Sequence, residues 1–317
     1  MKALMNCRSL ALVAATVLSA GVTAQEQATP VFSADSELVV LHVTVKDSRG
    51  AYVADLPKEA FNVIEDGQAQ AVSLFADTDT PVTVGLLIDS SGSMHQNRPL
   101  VIAGAAAFAS ASQPGDEIFA LTFNEDVRSS LPPTVPFTSD SNVLRAALER
   151  SIAARGRTAL YDAISAGLDY LSRGSRERKA LVVVSDGGDN ASRATRDEAV
   201  RMALASNAVI HTIALVEPGA RDANPKLLKD LAMESGGESF RPDDPGEIAE
   251  ALDQVALALR HSYTVGYTPT NTARDGGFRR VRVVVTAPPG RRFVVRGRSG
   301  YLAGTPSART SPGGATP

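Results

Sequence analysis

Residues 81–93 read Pro-Val-Thr-Val-Gly-Leu-Leu-Ile-Asp-Ser-Ser-Gly-Ser, and the fold turns on them. The run from Pro81 to Ile88 has the length and apolar content of a strand buried on both faces, the kind found inside parallel sheets. It stops abruptly at Asp89, and Ser90, Ser91, Gly92 and Ser93 follow. An oxygen-rich loop at the carboxyl end of a central strand is where open α/β sheets hold their ligands. Asp-x-Ser-x-Ser sets one carboxylate and two hydroxyls on alternate residues of a tight turn. Hard cations take such all-oxygen shells, and neutral hydroxyls leave the ion positive enough to attract an outside anion.

Working outward, strand patterns at Val82–Ile88, Glu117–Phe123, Ala180–Ser185 and Ala208–Leu215 alternate with helical ones. The helical stretches are Leu100–Ser112, Ser141–Ile152, Ala159–Ser172, Thr195–Ser206, Lys226–Met233 and Glu247–Arg260. That alternation predicts an α/β fold, a mostly parallel sheet with helices on both faces. Val127–Leu131 is placed as an antiparallel edge strand. On either side the pattern is purely β. Glu37–Val45 and a hairpin of Phe61–Ile64 and Gln70–Phe75 around Asp66-Gly67 come before, and 262–267, 278–285 and 292–296 come after. Three strands cannot stand alone, so the flanks are expected to pair into a small antiparallel β-sandwich that carries the α/β domain as an insertion. The expected divisions are a signal peptide over 1–24, a linker over 25–35 and an N-terminal β segment over 36–79. The α/β domain takes 80–260, a C-terminal β segment 261–304, and a Pro/Gly/Ser/Thr tail without core formers 305–317.

Formal net charge is −3 over 317 residues, which gives no global electrostatic case for a nucleic-acid partner. Lys2 and Arg8, the apolar run Leu10–Leu18 and the small-residue site ending at Ala24 read as a secretory signal. The one cysteine, Cys7, falls inside it. The expectation is a secreted or periplasmic protein with no disulfide and no membrane span after signal cleavage.

Three loops carry a resemblance. Asp89-Ser90-Ser91-Gly92-Ser93 is similar to the first metal-binding loop of von Willebrand factor type A (VWA) domains. Gly156-Arg157-Thr158 resembles that family's Gly-x-Thr loop, and Ser185-Asp186-Gly187 its strand-then-Asp-Gly loop, with Ser185 where many relatives carry Thr. The likeness spans roughly Thr80 to Arg260. It implies a Rossmann-like VWA domain in which Ser91, Ser93 and Thr158 offer hydroxyls to a Mg²⁺, Mn²⁺ or Ca²⁺ ion. It further implies that Asp89 and Asp186 supply charge, partly through water. One position would stay open for an Asp or Glu carboxylate from a protein partner. The flanks, with Gly266-Tyr-Thr-Pro269 and Ser299-Gly-Tyr-Leu302, resemble those of exported bacterial VWA-related proteins.

Weaker candidates surround the set. Ser90, Asp162, Asp189 and Asn190 sit in the matched loops, where capping and turn roles are expected, and His95 follows the first loop. Arginines 279, 280, 282, 291, 292, 296 and 298 could form a basic stripe, although alternation along Arg280-Val-Arg-Val predicts a solvated face. A metal-dependent adhesion or assembly module without enzymatic activity is the leading reading. A serine hydrolase using Ser91 or Ser93 is the first alternative, but it needs a histidine within reach, and His211 and His261 lack the loop context. A VWA scaffold with a vestigial metal site is the second.

Overall fold

The computed structural model describes residues 38–77, 79–152, 155–217, 220 and 222–304. The expected signal peptide, linker and tail lie outside them. The strands, in chain order, begin with β1 (Val39–Asp47), β2 (Phe61–Glu65), β3 (Gln68–Gln70) and β4 (Val72–Ala76). Next come β5 (Val82–Asp89), β6 (Glu117–Phe123), β7 (Val127–Ser129), β8 (Arg178–Ser185), β9 (Val209–Ala214) and β10 (Ser239–Phe240). The last four are β11 (Ser262–Tyr267), β12 (Phe278–Val285), β13 (Phe293–Arg296) and β14 (Gly300–Leu302). The helices are α1 (Arg98–Ser110), α2 (Ser141–Ser151), α3 (Leu160–Leu171), α4 (Arg196–Ala205), α5 (Pro225–Ser235) and α6 (Ile248–Arg260).

The central sheet has the order β10-β9-β8-β5-β6-β7. β5 pairs in parallel with β6 and β8, and β9 in parallel with β8 and β10, while β7 runs antiparallel to β6. Every residue of β5 is buried, because alternate side chains enter separate cores. Val84, Leu86 and Ile88 pack under α1, α2 and α6. Leu87 on the other face packs with residues of α3, α4 and α5. Helix starts follow local chemistry: Asp140 caps α2 by accepting from the Asn142 and Val143 amides, and Thr195 forms a capping box with Glu198.

The β flanks pair with each other. β1 runs antiparallel to β11 and β13, and β12 antiparallel to β2. The result is two four-stranded sheets, β13-β1-β11-β4 and β14-β12-β2-β3, closed over Leu41, Val43, Phe61, Val63, Tyr263, Val265 and Val281. Four strands stand on each side of the insertion where three were expected. The expected second arm of the hairpin, Gln70–Phe75, divides: β3 stays with β2, while β4 crosses to pair with β11 in the other sheet. The arginines do not form one stripe. Arg280 and Arg282 face outward as alternation predicts, but Arg279 is buried, and Arg298 reaches the C-terminal end of α4, where it bonds Asn207 Oδ1 and the Leu204 carbonyl.

The sandwich packs against the amino ends of the central strands, where His42 and Thr44 of β1 share a cavity with Val82, Arg178 and Val209. Lys46 Nζ meets Glu238 Oε2 at 2.7 Å, the Tyr52 hydroxyl donates to Glu238 Oε1 at 3.1 Å, and the Ser299 amide donates to the Glu234 carbonyl at 3.0 Å. The three loops noted in the sequence leave the opposite end of the sheet.

Candidate functional site

Asp89 is the last residue of β5 and Ser185 the last of β8, its parallel neighbour. Adjacent parallel strands end side by side, so the first and third loops start next to each other. In the first loop Asp89 Oδ1 accepts from the Ser91 amide at 2.9 Å, and the Ser91 and Ser93 hydroxyls lie 3.1 Å apart. The Ser185 hydroxyl donates to Asp89 Oδ2 at 2.6 Å, joining the third loop to the first.

The second loop closes the triangle. The Gly92 amide donates to the Gly156 carbonyl at 3.2 Å. The Thr158 amide donates to Asn190 Oδ1 at 2.9 Å, and the Asn190 amide returns a bond to the Thr158 carbonyl at 2.9 Å. Each loop is therefore bonded to the other two. Gly156 has φ +90°, and a Cβ there would run into the Glu125 carboxylate, which accepts from the Arg157 amide at 2.9 Å. Gly187 has φ +82°, and a Cβ would strike the Asn224 carbonyl. Both loops need glycine for backbone reasons.

The sequence-derived residues divide by how directly they meet. Asp89, Ser91 and Ser93 share hydrogen bonds or adjacent hydroxyls. Asp186 is near enough for its charge to act on Asp89, and its Oδ1 accepts from the Gly188 amide at 2.8 Å. Thr158 is joined to the third loop by its backbone bonds to Asn190. Asp89, Ser91, Thr158 and Asp186 are 1%, 2%, 6% and 6% exposed, and Ser93 is half-buried.

Burial pushes the Asp89 carboxyl up to about 6, and the Asp186 charge adds to the rise, while hydrogen bonds from Ser185 and Ser91 oppose it. No Lys or Arg ion pair reaches either aspartate among the described residues. Nor do the described residues hold a cluster of three His, Cys, Asp or Glu side chains suited to a metal. The side chains gathered in these loops are two carboxylates with hydroxyls, an all-oxygen chemistry that suits hard cations.

The neighbours brace the loops. Asp162 accepts from the Arg193 and Ala194 amides at 3.0 and 2.9 Å, and Asp189 accepts from the Leu160 amide at 3.0 Å. Ser90 bonds through its backbone to Phe123 and Arg155. Asn190 and Ser185 matter more than the sequence suggested, since each links two loops. A hydroxyl at the last position of the strand beside Asp89 was the available signal for Ser185. His95 is exposed at the first loop. The other three histidines lie at the sandwich end: His211 Nδ1 accepts from the Glu238 amide at 3.1 Å, His261 stacks on Tyr52 at 5.2 Å, and His42 lines the cavity there.

The family model of the von Willebrand factor type A domain matches residues 84–254. No curated protein matches the chain significantly. Among solved structures, an aerotolerance-related membrane protein from Bacteroides fragilis is 19% identical with a TM-score of 0.45, over 56% of this chain and 98% of its own. The vWF domain of the type V pili tip protein from Porphyromonas gingivalis is 15% identical with a TM-score of 0.48, over 58% of this chain and 96% of its own. A von Willebrand factor type A protein from Catenulispora acidiphila is 15% identical with a TM-score of 0.49, over 86% of this chain and 75% of its own.

Proposed function

The chain belongs to the von Willebrand factor type A family, and from that premise we propose that it is an exported, metal-dependent protein-binding module without enzymatic activity. Asp89, Ser91, Ser93, Thr158 and Asp186 would hold a Mg²⁺, Mn²⁺ or Ca²⁺ ion. When bound, that ion supplies a Lewis-acidic position for an Asp or Glu carboxylate of a partner protein. Asp89 and Asp186 bring the negative charge, the serines and Thr158 bring neutral oxygens, and Ser185 and the Ser91 amide fix the Asp89 carboxylate in place.

The observation that carries this reading is a buried Asp89 carboxyl, within reach of the Asp186 charge, that accepts from the Ser91 amide and the Ser185 hydroxyl. A buried charge is ordinarily paired or bound to a metal, and the bonds among the three loops support the reading that their oxygens serve one ion. For the hydrolase alternative, Ser91 and Ser93 lack a partner base: His42, His211 and His261 all serve the sandwich end, and exposed His95 has no orienting acid bonded to it among the described residues. No described helix is long and apolar enough to cross a membrane. Secretion is inferred from the amino-terminal sequence.

Thermal unfolding of the full chain tests the metal. Mg²⁺ or Mn²⁺ at about a hundred times its dissociation constant adds about 2.7 kcal/mol by linkage, and Asp89→Ala abolishes the gain. Equal melting in EDTA and in Mg²⁺ overturns the metal site and leaves the scaffold alternative standing. A metal-dependent shift that no acidic peptide or host protein augments overturns the partner half only.

A further inference from the structure

At the end of the sheet remote from the loops, a cavity of about 20 Å³ lies between the sandwich and the central sheet. That exceeds the roughly 10–15 Å³ a water-sized species needs. Its polar lining is His42, Thr44, Arg178, Lys179, His211 and Ser262, with no carboxylate. His211 is 2% exposed, and its Nδ1 accepts from the Glu238 amide at 3.1 Å. The neutral ring therefore carries its proton on Nε2, for which no protein acceptor occurs among the described residues. His42 makes one long contact, Nδ1 to Thr264 Oγ1 at 3.5 Å.

The charges nearby are lopsided. Arg178 is buried, donating to the Thr80 carbonyl at 3.1 Å and to the Leu259 carbonyl and Ser262 hydroxyl, with Asp79 at 4.0 Å on its outer side. Lys179 turns its Nζ away to the Leu171 and Gly174 carbonyls. An adjoining cavity shares His42 and is bounded by Arg298, whose acceptors are all neutral: Gly300 O, Asn207 Oδ1 and Leu204 O at 2.7, 3.0 and 2.6 Å. Of the acids near this seam, Asp79 and Asp116 pair with Arg260, Glu238 acts on His211 but is taken by Lys46, and Glu234 accepts from the Ser299 hydroxyl. Two partly compensated guanidiniums flank His42, and burial together with those charges holds its ring neutral.

We propose that this seam cavity is a binding site for a small inorganic anion of halide size, taken up by the His211 Nε2–H on one side and, on the His42 side, by the positive field of Arg178 in its wall and of Arg298 in the adjoining cavity. An anion gives the imidazole N–H a strong acceptor and offsets guanidinium charge, two things a water molecule does only in part. The site is independent of the metal loops, which lie at the other end of the sheet.

Two measurements on the full chain decide it. Unfolding in sodium chloride, bromide and gluconate at one ionic strength is expected to give a Tm about 2–4 °C higher in the halides, with His211→Leu losing the difference. Crystals soaked in bromide should show an anomalous peak beside His211 Nε2, a readout that needs no variant. Equal Tm in all three salts with no peak overturns the proposal and leaves the cavity to water. A peak without a halide-specific Tm shift means an adventitious ion only, and also overturns it.

Discussion

The two ends of the central sheet solve the burial of charge in opposite ways. At the loop end, Asp89 and Asp186 are buried with hydroxyl and amide donors and, among the described residues, no ion pair to a cation. At the sandwich end, Lys46 meets Glu238, Arg260 bridges Asp79 and Asp116, and Arg178 caps the Leu259 carbonyl. There nearly every buried charge has an opposite charge or a set of fixed carbonyls. The open carboxylates of the loop end are the ones that the proposed metal ion would complete, whereas the ion pairs of the sandwich end come from the chain itself. Outside the cavity beside His211, the sandwich end shows how tightly this chain can be satisfied, and the loop end is informative by contrast.

Breaking the closed end should have the largest effect. Glu238 is 7% exposed and bonds both Lys46 and the Tyr52 hydroxyl across the seam. Glu238→Ala leaves both stranded, and removing one partner of a buried pair costs about 3–5 kcal/mol. The side chains of Lys46 and Glu238 keep 15% and 10% of their surface in water, which puts the expectation at the lower end, about 3 kcal/mol in urea unfolding. Glu238→Gln keeps an acceptor for Tyr52 and should lose roughly half as much. If Glu238→Ala unfolds within error of the parent, the seam is not the closed end described here.

Acid should loosen the same end next. Burial lowers His211 to about 4, and burial with the charges of Arg178 and Arg298 lowers His42 to about 3. Both rings stay neutral in the fold while the unfolded chain takes up protons below about 6.5. Stability from each is thus fully present above that value and drains away as pH falls toward the folded pKa. At pH 5 the loss from His211 is about 2 kcal/mol, and His42 acts in the same direction. His211→Leu should flatten that slope even though it lowers stability at neutral pH. A parent chain equally stable at pH 7 and pH 5 contradicts the burial of both rings.

The loop end was far more legible in the sequence than the seam, and the reason is range. Asp89, Ser91 and Ser93 lie within five residues, and the uniformly apolar β5 announces where they must sit. Asp140 and Thr195 announce helix starts in the same local way. The seam bonds join residues far apart in the chain, such as Lys46 to Glu238 and Arg298 to Leu204. No periodicity encodes them. β10 and β14, of two and three residues, are too short to show alternation. The crossing of β4 to the other sheet is set by pairing with β11, where the register shifts at Gly266 and Tyr267. His42 and His211 read as ordinary strand residues, because what makes them distinctive is the guanidiniums brought near them by folding.

The smallest expected effect is the sharpest for the contrast, because its sign is reversed. Asp89→Asn keeps the shape of the side chain and removes its charge. The amide oxygen still accepts from the Ser91 N–H, and the amide NH₂ can donate to Ser185 Oγ once that hydroxyl turns. Burial and Asp186 disfavour the charged carboxyl in the metal-free protein. Its neutralisation should therefore raise stability in EDTA at pH 7 by about 1–2 kcal/mol, part of what such a pKa rise represents once the altered hydrogen bonds are counted. In Mg²⁺ the order should invert, because only the parent retains the carboxylate to meet the ion. A substitution that stabilises one state and disarms the other is expected where charge is held open for a ligand. If Asp89→Asn is instead destabilised in EDTA by as much as Glu238→Ala, both ends of the sheet are closed structures and the contrast between them disappears.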